Sequence, residues 1–114
     1  MKAIRIYLDD ERQEPEGWIR TKTAAATIVM LRDFSLRGQK VDELSLDHDL
    51  GPSHYLGDYS DRNTGYAVLE WIEDSIKTIN YFPPTVIKVH SMNPAGRARM
   101  EKLIKRINEM RKYL

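Results

Sequence analysis

Three apolar runs in this chain each end on a cluster of ionisable or amide side chains, and this repetition constrains the fold more than any other feature. Ala3 to Leu8 leads into Asp9-Asp10-Glu11, Val41 to Leu46 into Asp47-His48-Asp49, and Thr85 to Val89 into His90-Ser91-Met92-Asn93. Short β-branched or alternating runs bounded by polar residues read as strands. Two carboxylates bracketing an imidazole repel each other in a low dielectric, so a core has no use for them. A polar loop would accommodate one such cluster. Three at strand ends point to a shared site for a cation, a phosphate or proton transfer.

The remaining segments supply the frame. Gln13 to Gly17 is a turn carrying Pro15 and Gly17, and Trp18 to Thr21 alternates as a further strand. Thr23 can cap a helix running to about Leu36, with Ile28, Leu31 and Phe34 inward and Gly38 beyond its end. Gly51-Pro52 stops the Val41–Leu46 strand, and residues 51–63, rich in Gly, Ser, Asp and Asn with two Tyr, form a loop long enough to serve as a lid. Asn63 or Thr64 caps a second helix whose apolar stripe is Val68, Leu69, Ile72, Ile76 and Ile79, ended by Pro83-Pro84. Asn93 and Pro94 are a cap and a first helical residue. They open a third helix with the stripe Met100, Leu103, Ile104, Ile107 and Met110.

Strands alternating with helices imply a parallel α/β sheet. With right-handed crossovers and the third strand beside the first, the strand order is 2-1-3-4. Ligands bind at the switch point between strands one and three, where Asp9, Asp10 and Asp47 converge. Two helices would cover one face. The last helix, with its strong stripe, is placed across the other, giving a three-layer sandwich. The 114 residues suffice for one domain, 1–114, and 18 basic against 17 acidic residues argue against broad non-specific nucleic-acid binding. Without Cys there is no disulfide, thiolate nucleophile or Cys-based zinc site. No apolar run reaches membrane-spanning length and the N-terminus lacks a signal-peptide core, so a cytoplasmic protein with no membrane partner is expected.

Asp9-Asp10 after the first strand, Asp47 ending the third, Gly65 downstream and Ser91 ending the fourth resemble a response-regulator receiver domain. The departures are a first helix replaced by Arg12 to Gly17, no fifth strand with its Lys-Pro after Ser91, and the flanking His48-Asp49 and His90. The longer pattern is similar to the cyclic-phosphate processing receiver domain of bacteria and their phages. It comprises Leu8-Asp9-Asp10-Glu11-Arg12, Ser45 to Gly51, Thr64-Gly65-Tyr66, and Val89 through Met100. The resemblance implies a truncated receiver-like, flavodoxin-like α/β fold and an activity on cyclic phosphates.

The residue chemistry agrees with that class. Asp9, Asp10 and Asp47 offer hard oxygen ligands suited to Mg²⁺ or Mn²⁺. His48 and His90 can trade protons near neutral pH, as opening a cyclic phosphodiester requires, and Asp49 can orient an imidazole or join the metal shell. Ser91, Asn93, Arg97 and Arg99 surround a helix N-terminus that favours an anion, and Gly96 permits close approach. In the plainer alternative Ser91 and Asn93 only cap, and the arginines are a solvated face. Tyr55, Tyr59 and Tyr66 are candidate stacking partners for a base, and His54 is read as solvated. The expected function is a metal-dependent phosphoesterase acting on a small-molecule phosphate or cyclic nucleotide. The alternatives are a non-catalytic nucleotide or protein binder, or a degenerate phosphoacceptor receiver.

Overall fold

In the computed structural model the described residues are 2–49 and 64–114. The expected lid, with His54, Tyr55 and Tyr59, lies outside them. Four strands, β1 (Arg5–Leu8), β2 (Ile19–Thr21), β3 (Glu43–Leu46) and β4 (Val86–Val89), form one parallel sheet in the expected order β2-β1-β3-β4. Leu8 pairs with Leu46 and Leu46 with Val89, so the residues after these strands emerge side by side.

Three helices follow the expected caps. In α1 (Ala24–Leu36) the Thr23 hydroxyl accepts from the Ala26 N–H at 3.0 Å. In α2 (Gly65–Ile79) Thr64 is the cap, accepting from the Ala67 N–H at 3.2 Å. In α3 (Pro94–Met110) Asn93 Oδ1 accepts from the Gly96 N–H at 3.0 Å. Each cap satisfies an amide that the first helical turn leaves without a carbonyl. The α2 stripe stops one turn earlier than its spacing implies. Asn80 takes the left-handed conformation, φ 53°, which turns the chain so that Tyr81 enters the core and Ile79 is left 69% exposed.

Side chains along the strands alternate between the two faces of the sheet, although Tyr7 and Ser45 on the second face are buried too. Ile6, Leu8, Leu44 and Leu46 are fully buried and join Leu31, Val68, Leu69, Ile72, Met100, Leu103 and Ile107 in one cluster. All three helices lie on this face: α1 packs on β1, β2 and α2, and α3 packs on α2 and β4. The expected third layer is therefore absent among the described residues, and the last helix stays beside α2. The opposite face explains why. It carries Arg5, Glu43 and Lys88, with Lys88 Nζ 2.9 Å and Arg5 Nε 3.4 Å from the Glu43 carboxylate. An apolar helix laid there would desolvate these charges, whereas the α2 stripe offers apolar surface to bury.

Candidate functional site

The three polar clusters meet at the C-terminal edge of the sheet. Asp9, just past β1, is 1% exposed. Its Oδ1 accepts from the backbone N–H groups of Glu11 and Arg12, both at 2.9 Å, and its Oδ2 receives His90 Nε2 at 3.1 Å. Burial pushes the Asp9 carboxyl up, but the Arg12 and Glu11 amides and the His90 imidazole outweigh it and hold the group below its ordinary range.

Asp47 has the opposite balance. Burial first, and then the negative charge of Asp9, push it up to about 6, against the His48 N–H that donates to its Oδ1 at 2.8 Å. The two carboxylates thus repel across a partly dry gap. Each of Asp9, Asp47 and His90 offers one ligand atom within 4.8 Å of the others. Asp10, half-buried on the turn after Asp9, is not one of this group of three.

His90 is held on three sides. Its ring stacks on Tyr7 with centroids 4.2 Å apart, and Ser45 Oγ lies 2.7 Å from Nδ1. Burial lowers its pKa despite the Asp9 carboxylate, which leaves the imidazole neutral near pH 7. A neutral ring facing an ionised Asp9 carries its proton on Nε2, so Nδ1 accepts from the Ser45 hydroxyl.

His48 is oriented separately. Its Nδ1 meets Asp49 Oδ1 at 2.7 Å, and Asp49 Oδ2 receives the Asn93 amide at 3.3 Å. With Nδ1–H donated to the carboxylate, the other ring nitrogen bears the lone pair. The ring rests on the first turn of α3 at Gly96, where a Cβ would come within 2.7–2.9 Å of three ring atoms. At Gly65 a Cβ would collide with the Asp47 carbonyl oxygen, so α2 can begin against the end of β3 only with glycine there.

A cavity of about 130 Å³ opens beside these groups, with Arg12, Asp47, Asp49, Ser91 and Asn93 in its wall. Ser91 Oγ accepts from the Asn93 N–H at 3.1 Å, and both ends of the Asn93 amide are engaged, one by Gly96 and one by Asp49. The expected arginines are turned elsewhere: Arg97 Nε binds Glu101 at 2.9 Å, and the Arg99 guanidinium sits 4.7 Å over the Tyr66 ring. The guanidinium at the cavity is Arg12, which donates to the His90 carbonyl at 2.9 Å and lies 3.5 Å from Asp9.

Arg12, Ser45 and Tyr7 join the site without a sequence-based expectation of their roles. Arg12 sits three residues after Asp9, a spacing one turn can fold back, and Ser45 is the polar residue on the non-core side of β3 two positions before Asp47.

This arrangement defines a receiver-like α/β domain with its acidic residues and two histidines gathered at the switch point. The family model of the cyclic-phosphate processing receiver domain matches residues 4–106, and the chain belongs to that family. No curated protein and no solved structure matches it. Among the described residues no helix is long and apolar enough to cross a membrane.

Proposed function

We propose that the domain is a metal-dependent phosphoesterase acting on a cyclic or nucleotide phosphate. The observation that carries this reading is the Asp9–Asp47–His90 group, with ligand atoms within 4.8 Å of one another, whose Asp47 lines a cavity that also holds the Arg12 guanidinium, the Asn93 amide and the Glu11 and Asp49 carboxylates. The donor set fits Mg²⁺ or Mn²⁺. Two carboxylates supply hard oxygens, and the repulsion that raises Asp47 is the kind a cation relieves. As a ligand, His90 would move its proton to Nδ1 and donate it to Ser45 Oγ, a partner already in place. A bound divalent ion supplies charge that offsets the negative charge developing on the phosphoryl oxygens.

The protein's own groups supply the rest. Arg12 is placed to bind a phosphate oxygen from the cavity wall. His48, with Nδ1–H held by Asp49, takes a proton from the attacking water as the water oxygen bonds to phosphorus. The ring P–O bond breaks, and the protonated His48 returns that proton to the leaving oxygen. His90, bonded on both ring nitrogens to Asp9 and Ser45, acts as a ligand and positioning group rather than the proton carrier. The test is incubation with a panel of cyclic mononucleotides and 2′,3′-cyclic phosphates, with and without Mn²⁺, followed by chromatography. Metal-dependent opening of a cyclic phosphate is expected. Tight nucleotide binding without turnover in any member would replace the enzyme with a binder.

A further inference from the structure

The sheet face that no described helix covers is neither blank nor apolar. Residues two apart along each strand share a face, so Arg5 and Tyr7 of β1, Arg20 of β2, Glu43 and Ser45 of β3, and Val86 and Lys88 of β4 lie together, with Trp18 at the entry to β2. Three of these residues are basic and one is acidic. Lys88 and Arg5 share the Glu43 carboxylate and are still 51% and 41% exposed, so the face keeps an excess of positive charge facing solvent. The aromatic rings form a row. Lys88 Nζ sits 5.5 Å over Trp18, Trp18 meets Tyr7 edge-on at 6.2 Å, and Tyr7 stacks on His90. The row therefore runs from the open face into the candidate site. Arg20 adds a cation at the same border, its Nε donating to the Asp9 carbonyl at 2.9 Å.

We propose that this face is a platform for a short single-stranded polynucleotide, which it presents to the site as a phosphate ester. The proposal rests on the phosphoesterase reading above and names its substrate class. Basic side chains track a phosphodiester backbone, and a half-buried Trp offers a π-face that any base can stack on. Four strands span about 14 Å at ~4.8 Å per strand, and four-stranded sheets with surface aromatics stack two or three bases of RNA. A second copy of the chain is a poorer occupant, because a two-fold axis would set this basic face against itself.

The test is fluorescence anisotropy with labelled pentauridylate bearing a 3′-phosphate, alongside its deoxy counterpart, with uridine 3′-monophosphate as competitor. The pentamer should bind at least about tenfold more tightly than the mononucleotide. Trp18→Ala and Lys88→Glu should each weaken pentamer binding by at least about fivefold while leaving mononucleotide affinity within about twofold. Lys88→Glu should also flatten the salt dependence, by about 0.7 in the log–log slope for each phosphate left unneutralised. The retained mononucleotide affinity reports that each variant is folded. Equal affinity for pentamer and mononucleotide, or pentamer binding insensitive to both substitutions, would overturn the platform while leaving the phosphoesterase reading intact. Failure of both ligands to bind the wild type would remove both readings, and light scattering showing a dimer disrupted by Lys88→Glu would assign the face to self-association. A preference for the ribose over the deoxyribose pentamer would narrow the platform to RNA.

Discussion

Replacing Asp47 by Asn should make the metal-free protein more stable at neutral pH, although it removes a residue at the centre of the candidate site. The carboxyl is raised from 3.8 to about 6, chiefly by burial and by Asp9. Between those values the folded protein binds more protons than the unfolded chain, so stability falls as pH rises across this window and the full penalty is present above about pH 6. At about 1.4 kcal/mol for each tenfold, the gap corresponds to roughly 3 kcal/mol. Asp47 is only half-buried, and solvent screening reduces this to about 1–2 kcal/mol. Asn keeps an oxygen to accept the His48 N–H but carries no charge to repel Asp9. In EDTA at pH 7.5 the variant should melt roughly 5–10 °C above the wild type, at about 4–6 °C per kcal/mol. Well below pH 3.8 the two should converge, as the wild-type carboxyl is then neutral in both states. Millimolar Mn²⁺ should reverse the order, raising the wild type and leaving the variant unmoved. A variant that is less stable than wild type in EDTA at pH 7.5, or a gap that does not close in acid, would refute the carboxylate repulsion.

Three further outcomes are expected. His48→Gln should slow turnover of a cyclic phosphate by roughly 10²-fold with little change in KM, whereas His90→Gln should weaken Mn²⁺ binding in calorimetry, and wild-type rates in the first variant would make His48 structural. Gly96→Ala should lower both the melting temperature and turnover, because its Cβ would come within 2.7–2.9 Å of three atoms of the His48 ring and push it off Asp49, which outweighs the about 1 kcal/mol better helix propensity of Ala; an unchanged melting temperature and turnover would show that the ring tolerates a Cβ at this position. Acetyl phosphate should leave no persistent mass gain on Asp47, because His48 adjoins it and can promote attack of water on an acyl phosphate; a stable adduct would favour the signalling alternative.

The sheet was legible because its strands advertise themselves: β-branched runs with polar stops predict four parallel strands, and the order follows from crossover handedness. The three helices were equally plain from Thr23, Thr64 or Asn63, and Asn93 with Pro94. The layer count was not. The stripe of α3 gives its apolar side but not its partner, and only the charges on the far side of β1, β3 and β4 decide between the two faces. Glu43 and Lys88 are far apart in sequence, and their 2.9 Å ion pair exists only once β3 and β4 are in register. The site followed the same rule. Convergence of Asp9 with Asp47 was readable from topology, and the nearness of His90 to them from β4 lying next to β3. The redirection of Arg97 to Glu101 and of Arg99 to Tyr66 depends on nearby side chains that compete with any ligand for the same guanidinium. The role of Arg12 was hidden because it comes from a backbone turn around Asp9 rather than from a helix.

The end of β3 and the start of α2 are clasped together by an isolated antiparallel bridge between Asp49 and Thr64, and the Gly65 N–H donates to the His48 carbonyl at 3.4 Å. Asp49 and Thr64, which flank residues 50–63 in the sequence, therefore lie side by side. A segment closed at its base in this way can change length without moving its anchors, since doubling a closed loop costs only about 0.6 kcal/mol of chain entropy. Sequences of other lengths grafted between Asp49 and Thr64 should retain the positions of Asp47 and His48, so this stretch of chain can diversify while the chemistry at its anchors stays fixed.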